Sequence, residues 1–374
     1  MAQAYAHITG WGMVVPEKIL TNDDLAQMVD TNDEWIRSRT GIEQRHIAAK
    51  NQTTASLATD AAVKALRMAK LGPDEVDLII VSTSSPEHTF PATASLVQDR
   101  LGAENAGAFD LSAACSGFIY ALNMASQAIR TDAVRNAIVI GAETLSRIVD
   151  WNDRNTCILF GDGAGAFVLQ ADPSEVGGVL SSVMRSDGSG SNLLSLPGGG
   201  SAHPATSQTV LDGLHFIHMN GREVFRFATR VMAAASLEAV EKAGMEMDQI
   251  QWIIPHQANL RIIEAAARGL KMPMEQFIVN VQKYGNTSTA SIPIAAVEAA
   301  EKGQLQRGDN IVIVGFGAGL TWGSAVVRWT GPFEDTPTVR LSPIRRAARV
   351  RSILRRIWRF IEGVIWGRGK GSSA

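Results

Sequence analysis

Of the two cysteines among the 374 residues, one stands where a thiol can act. Cys115 lies in AFDLSAACSGFIYAL, where an apolar strand stops, small residues turn the chain and a helix begins near Ser116. At a helix N-terminus the macrodipole favours thiolate, so Cys115 is a candidate nucleophile. An ordinary buried cysteine would fit the same segment. Cys157, within the apolar run of NTCILFGDG and read as part of a strand, is expected to be structural.

His256 (IIPHQANLR) follows a predicted strand and precedes a helix, the end of a strand at which α/β sites form. Asn286 (YGNTSTASIP) sits in a Gly-Asn turn running into a helix. Alone, the histidine reads equally as a structural hydrogen-bonder and the asparagine as a cap. Together the three supply a nucleophile, an imidazole and a neutral amide donor. That set can take up an acyl group on sulfur and hold the enolate charge left when a malonyl thioester loses carbon dioxide, without protonating the carbanion. The loop GFGAGLTWG (315–323) adds backbone N–H groups, and its glycines permit close approach. It lacks the GK[ST] of a phosphate loop.

These residues need elements to hold them. Apolar runs at 77–83, 107–112, 136–143, 164–170, 250–255 and 310–314 read as strands. Ala-rich stretches at 54–70, 116–130 and 224–243 read as helices. The alternation predicts an α/β fold with sheets covered on both faces. NIVIV at 310–314 echoes NAIVI at 136–140, which divides the chain into similar halves, 1–172 and 173–329. A duplicated unit places its site at the seam. Residues 185–209 are Gly/Ser/Pro-rich and read as a solvated loop or as a lid.

Hydrophobic residues make up 45% and charged residues 19%, a globular composition, and the net charge of −2 argues against nucleic acid as a partner. The two cysteines imply no disulfide framework and fit a reducing, cytoplasmic setting. The first residues lack the basic and apolar regions of a signal peptide. The charge is uneven: residues 330–374 hold ten Lys+Arg against three Asp+Glu, leaving 25 against 34 in residues 1–329.

DEWIRSRTGIEQRHIA, DLSAACSGFIYAL, TCILFGDGAGA, IIPHQANLRII, YGNTSTASIP and GFGAGLTWGSAVVRW resemble the β-ketoacyl-acyl-carrier-protein synthase III family, and the resemblance covers residues 5–329. It implies a homodimer of thiolase-like subunits, each with duplicated α/β halves in an α-β-α-β-α arrangement. It implies that Cys115 takes an acyl group from acyl-CoA and that malonyl-acyl-carrier protein is then decarboxylated and joined to it, with no cofactor and no metal. His256 and Asn286 complete the triad, and the backbone N–H groups of Cys115 and Ala318 form the oxyanion hole. By the same resemblance Trp35, Arg39, Thr40, Arg154 and Asn259 contact CoA, with Trp35 and Arg154 sandwiching the adenine. Arg226, Arg261, Arg268 and Lys271 dock the acidic carrier protein, and Phe90 reaches the partner's acyl pocket. A related acyltransferase of a secondary pathway and a non-catalytic scaffold are the alternatives.

The resemblance stops near Trp329. Residues 330–343 read as a linker and 344–374 as a basic amphipathic helical tail. Ala347, Val350, Ile353, Leu354, Ile357, Trp358, Ile361, Val364 and Ile365 share one face, while Arg349, Arg351, Arg355, Arg356 and Arg359 hold the other. That is the pattern of an interfacial helix. It predicts peripheral contact with an anionic membrane through residues 344–366, against docking on a partner protein or on the enzyme's own surface.

Overall fold

The computed structural model describes residues 4–333 and 341–367. Two sheets form its frame. The first has five strands, β1 (Tyr5–Val14), β2 (Leu78–Ser82), β3 (Gly107–Leu111), β4 (Asn136–Glu143) and β5 (Gly163–Asp172), in the order β1-β5-β4-β2-β3. The second has four, β6 (Gly178–Ser186), β7 (Trp252–Pro255), β8 (Asn310–Gly317) and β9 (Thr321–Arg328), in the order β7-β8-β9-β6.

The sheets share one topology. β2 pairs parallel with β4, β4 antiparallel with β5, and β5 antiparallel with β1. β7 pairs parallel with β8, β8 antiparallel with β9, and β9 antiparallel with β6. NAIVI and NIVIV, the echo in the sequence, are the corresponding central strands β4 and β8. Strand β3 has only a vestige in the second sheet, a parallel bridge between Ile253 and Phe277.

Helices fill three layers. Two central helices, α4 (Gly117–Arg130) and α7 (Ser291–Glu301), lie between the sheets and pack with residues of both in one core. A helix buried on all sides must be apolar all round, and α4 buries Phe118, Ile119, Leu122 and Ile129. Phe118 meets Phe167 of β5 edge-on at 5.2 Å; burying such a ring stabilises by about 2–3 kcal/mol. Outside the first sheet lie α2 (Thr54–Ala69) and α3 (Thr93–Leu101); outside the second lie α5 (Gly221–Lys242) and α6 (Leu260–Leu270). The order α-β-α-β-α is the thiolase-like arrangement the resemblance implies.

The chain then leaves this frame. Of the stretch expected as a linker, residues 334–340 lie outside the described residues. Its last three residues are helical, because α8 runs Leu341–Gly367. Pro343 falls in the first turn, where a missing N–H interrupts no helix bond. Leu341 and Ala348 are buried against the frame, Ala348 over Gly102 at the end of α3. Ser352 Oγ donates to Asp99 at 2.9 Å, Arg356 pairs with Asp99 at 3.3 Å, and Arg351 and Arg355 pair with Glu104 at 3.1 and 3.2 Å. The three ion pairs are exposed, so each contributes at most about 1 kcal/mol. The arginine face of α8 therefore meets the enzyme, and the apolar face points outward.

Candidate active site

Strand β3 ends at Leu111, a single 3-10 turn spans Ala114–Ser116, and α4 begins at Gly117. Cys115 sits in that turn, where Ala114 takes the left-handed conformation (φ 46°). This is backbone strain of the kind that persists where a site holds it, about 1–3 kcal/mol. Ser288, two residues after Asn286, is strained in the same way (φ 47°).

Three contacts assemble the site across the seam. Gly317 at the end of β8 stands against the Cys115 backbone nitrogen. Thr321 Oγ1 contacts the carbonyls of Ala113 (3.0 Å) and Ala318 (2.9 Å) and accepts from Ser116 Oγ (2.8 Å). It ties the nucleophile turn to the glycine loop, and with them the two expected oxyanion donors. Asn286 is held by its backbone: its N–H donates to the Leu159 carbonyl (2.8 Å), and its carbonyl accepts from Gly161 (3.0 Å). The TCILFGDG and YGNTSTAS motifs are thus two edges of one local pairing.

The side chains are oriented as well as placed. Asn286 Oδ1 accepts from the Ser288 N–H at 2.8 Å, which leaves Nδ2 to donate. His256 is fully buried, its ring edge-on to Phe316, with Nδ1 2.6 Å from Ser291 Oγ. Among the described residues its Nε2 has no hydrogen-bond partner. A buried polar atom left unpaired at a cleft floor is a place for a substrate group. Cys115, His256 and Asn286 all line one cleft of about 790 Å³.

Burial sets the electrostatics. It pushes the Cys115 thiol up to about 12, with the neighbouring Glu143 carboxyl adding to the rise and the Ser288 hydroxyl opposing it. The thiolate expected from the helix N-terminus is therefore not the resting state, because desolvation outweighs the macrodipole. Burial pushes the His256 imidazole down to about 3, so it is neutral at physiological pH. Glu143, fully buried beside these loops, is raised by burial. It accepts from Ser84 N, Ser85 Oγ and Thr289 Oγ1, pinning the loops that flank Asn286.

The remaining candidates divide by position. Trp35, Arg39, Thr40, Asn259, Arg226 and Arg261 line the same cleft as the triad. Trp35 and Arg39 lie on α1 (Asp33–Thr40), with the Arg39 guanidinium 4.8 Å from the Trp35 ring centre. Arg154 stands 5.1 Å from that ring and pairs with Asp30 at 3.2 Å. The sandwich expected to take an adenine is closed in this state, with the Arg154 guanidinium standing against the indole itself. Thr40 Oγ1 is committed to the Ile36 carbonyl (2.7 Å) and the Ile42 N–H (3.0 Å). Asn259 caps α6 and donates to the Arg39 carbonyl at 2.9 Å. Arg261 lies over Phe225. Arg268 is exposed farther along α6, and Lys271 lies just past its end, outside the cleft and off the line of Arg261. Phe90 is 85% exposed and lines neither pocket at Cys115 in its own chain.

Several participants escaped sequence reasoning. Arg222, one helical turn before Arg226, joins the cleft rim; its i, i+4 spacing was the available signal. A second, apolar pocket of about 90 Å³ opens at Cys115, with Leu145, Ile148, Leu196 and Ile217 among its walls and Ala318 at its edge. Arg45 is fully buried and donates to Asn22 Oδ1 and to the Leu20 and Ile158 carbonyls, fixing the loop that carries Leu159. Cys157 is buried as expected, but in a turn whose N–H donates to the Asp153 carbonyl, not in a strand. Among the described residues no His, Cys, Asp and Glu group is placed to hold a metal ion.

Known proteins resemble this chain along almost all of the two-sheet frame. Residues 109–188 match the family described as 3-Oxoacyl-[acyl-carrier-protein (ACP)] synthase III, and residues 240–329 match its C-terminal part. A Beta-ketoacyl-[acyl-carrier-protein] synthase III of Desulfitobacterium hafniense is 55% identical over 324 residues, 86% of this chain and 97% of that one. The protein of the same name from Roseiflexus sp. is 50% identical, covering 87% and 99%. The crystal structure of 3-oxoacyl-[acyl-carrier-protein] synthase III from Aquifex aeolicus superposes with a TM-score of 0.80 at 48% identity, covering 87% of this chain and 100% of that one. With so little of these relatives unmatched, α8 has no counterpart of its length in them.

Proposed function

The chain belongs to the β-ketoacyl-acyl-carrier-protein synthase III family, and from that premise we propose that Cys115, His256 and Asn286 carry out its condensation. It is an acyltransferase-type condensing enzyme of the step that initiates fatty acid synthesis. Acyl carrier protein and CoA thioesters are its substrates. At this level of identity the secondary-pathway acyltransferase is not favoured.

The observation that carries the assignment is convergence. The triad, Trp35, Arg39, Thr40, Asn259, Arg226 and Arg261, drawn from both halves, line a single cleft, and an apolar pocket opens beside it at Cys115. In the first half-reaction the Cys115 sulfur attacks the acyl-CoA carbonyl. A C–S bond forms, the bond to the CoA sulfur breaks, and the thiol proton leaves with CoA. His256 is the neutral base that relays it. Ser291 Oγ can donate to Nδ1 or accept from it, so the ring can present either a lone pair or an N–H at Nε2.

In the second half-reaction malonyl-acyl-carrier protein loses carbon dioxide, and the bonding pair moves onto the thioester oxygen as an enolate. His256 Nε2–H and Asn286 Nδ2–H donate to that oxygen. The enolate carbon then attacks the acyl-cysteine, the C–S bond breaks and the departing Cys115 sulfur takes up a proton from solvent. The Cys115 and Ala318 N–H groups hold the tetrahedral oxyanion.

Arg39, Trp35, Thr40, Arg154 and Asn259 receive CoA, with Arg154 swinging off Trp35. Arg226, Arg261, Arg268 and Lys271 form the carrier-protein rim. A homodimer places the exposed Phe90 at the partner's acyl pocket. Residues 1–172 and 173–329 are the two halves of the catalytic unit, followed by the linker and tail. The enzyme works without a cofactor in the cytoplasm, with peripheral membrane contact through residues 344–366. Loading the enzyme from acetyl-CoA and adding malonyl-acyl-carrier protein tests the reaction. The product must be 3-oxobutanoyl-carrier protein; decarboxylation without C–C bond formation would contradict it.

A further inference from the structure

We propose that the outward face of α8 is a docking surface for an anionic lipid bilayer. The inference goes beyond the condensation. It rests only on the peripheral placement, to which it gives a surface and side chains.

Orientation carries the argument. Ser352, Arg351, Arg355 and Arg356 bind the enzyme through Asp99 and Glu104, so the helix is clipped down by its polar side. Val350, Leu354, Ile357, Trp358, Ile361 and Val364 consequently face away from the protein and are exposed, Trp358 by 62%, with Ile353 at the edge of the groove against the body. Over about 21 Å of helix axis they form one continuous apolar stripe. Among the described residues nothing covers it. At 100° per residue its margins are Phe360, next to Arg349, on one side and Trp358, next to Arg351, on the other. Aromatic margins match the depth profile of a bilayer interface, with rings at the head-group level.

Charge selects the occupant. Residues 341–374 hold nine Lys+Arg and one acidic residue, whereas residues 1–329 carry an excess of nine acidic residues. Without the helix an anionic membrane would repel this body. The tail adds a net eight positive charges to the chain, which offsets that excess and attracts phosphates. A second copy of the stripe is a poorer occupant, because symmetric packing would bring the flanking arginines of two chains together. Crossing the bilayer is also excluded for the described helices, none of which is long and apolar enough.

The test is co-sedimentation of the full chain with phosphatidylglycerol vesicles and with phosphatidylcholine vesicles, beside Ile357→Glu/Ile361→Glu. The wild type should bind phosphatidylglycerol at least about tenfold more tightly than phosphatidylcholine. The double variant should lose at least about tenfold while still acylating Cys115, which reports its fold. Should the double variant fail to load, Trp358→Ser takes its place. Wild type that pellets with neither vesicle removes the peripheral placement itself. Wild type and variant that pellet equally on phosphatidylglycerol leave a membrane contact elsewhere and overturn this surface. A halving of mass in vesicle-free sedimentation velocity, seen only in the variant, would assign the stripe to a second copy instead.

Discussion

A Cβ placed on Gly317 would stand 2.6 Å from the backbone nitrogen of Cys115. The end of β8 and the nucleophile turn are thus packed backbone to backbone, and nothing larger than hydrogen fits between them. Gly317→Ala must displace the Cys115 N–H, the donor proposed for the oxyanion. Condensation should fall about 10²–10³-fold, with a loss of about 1–3 kcal/mol in stability from overpacking. Steady-state kinetics beside thermal unfolding checks both; full activity would mean that the Cys115 N–H is not an oxyanion donor.

Asn286→Ala should separate the half-reactions. The Asn286 backbone bonds to Leu159 and Gly161 survive the substitution, and the Ser288 N–H alone loses its side-chain partner. Acyl-Cys115 should form near the normal rate, while decarboxylation of malonyl-carrier protein falls about 10²–10³-fold. Equal loss of both steps would place Asn286 in acyl loading instead.

The thiol and imidazole predict opposite pH behaviour from their ordinary values. With Cys115 up at about 12, its alkylation by iodoacetamide should climb roughly tenfold per pH unit between about pH 7 and 9, without a plateau. A plateau near neutrality would reveal a stabilised thiolate. His256 is pushed down to about 3 from 6.5. Between those values the unfolded chain binds a proton that the folded chain refuses, so this group costs stability as pH falls below about 6.5. His256→Gln should lose that part of the acid sensitivity in a pH series of unfolding midpoints.

The apolar pocket at Cys115, about 90 Å³, has room for roughly three water-sized groups. Acetyl- and propionyl-CoA should load, and octanoyl-CoA should not. Ile148→Ala, which opens one wall, should extend loading by about two or three carbons. Competitive loading followed by mass spectrometry ranks the primers; octanoyl loading by the wild type would show that the pocket opens beyond this state.

Much of the site is legible in the sequence because each triad member follows a β strand or a glycine turn with local signals. The strand echo at 136–140 and 310–314 likewise exposes the frame. What escapes depends on contacts through space. Thr321 joins Ala113 to Ala318 across more than 200 residues, and no local pattern marks it. The raised thiol is a consequence of burial, which the helix start alone does not reveal. The closed Arg154–Trp35 contact depends on Asp30 capturing the guanidinium. For the tail, periodicity defines two faces of the helix, but the choice of which one meets the enzyme belongs to Asp99 and Glu104, some 250 residues earlier.

Intact mass after mixing the protein with acetyl-CoA, beside Cys115→Ala, tests the central claim most directly. The account predicts a gain of one acetyl group in the wild type, none in the variant, and its discharge by malonyl-acyl-carrier protein. An adduct that persists in Cys115→Ala, or a folded wild type that gains none from any short acyl-CoA, would contradict it.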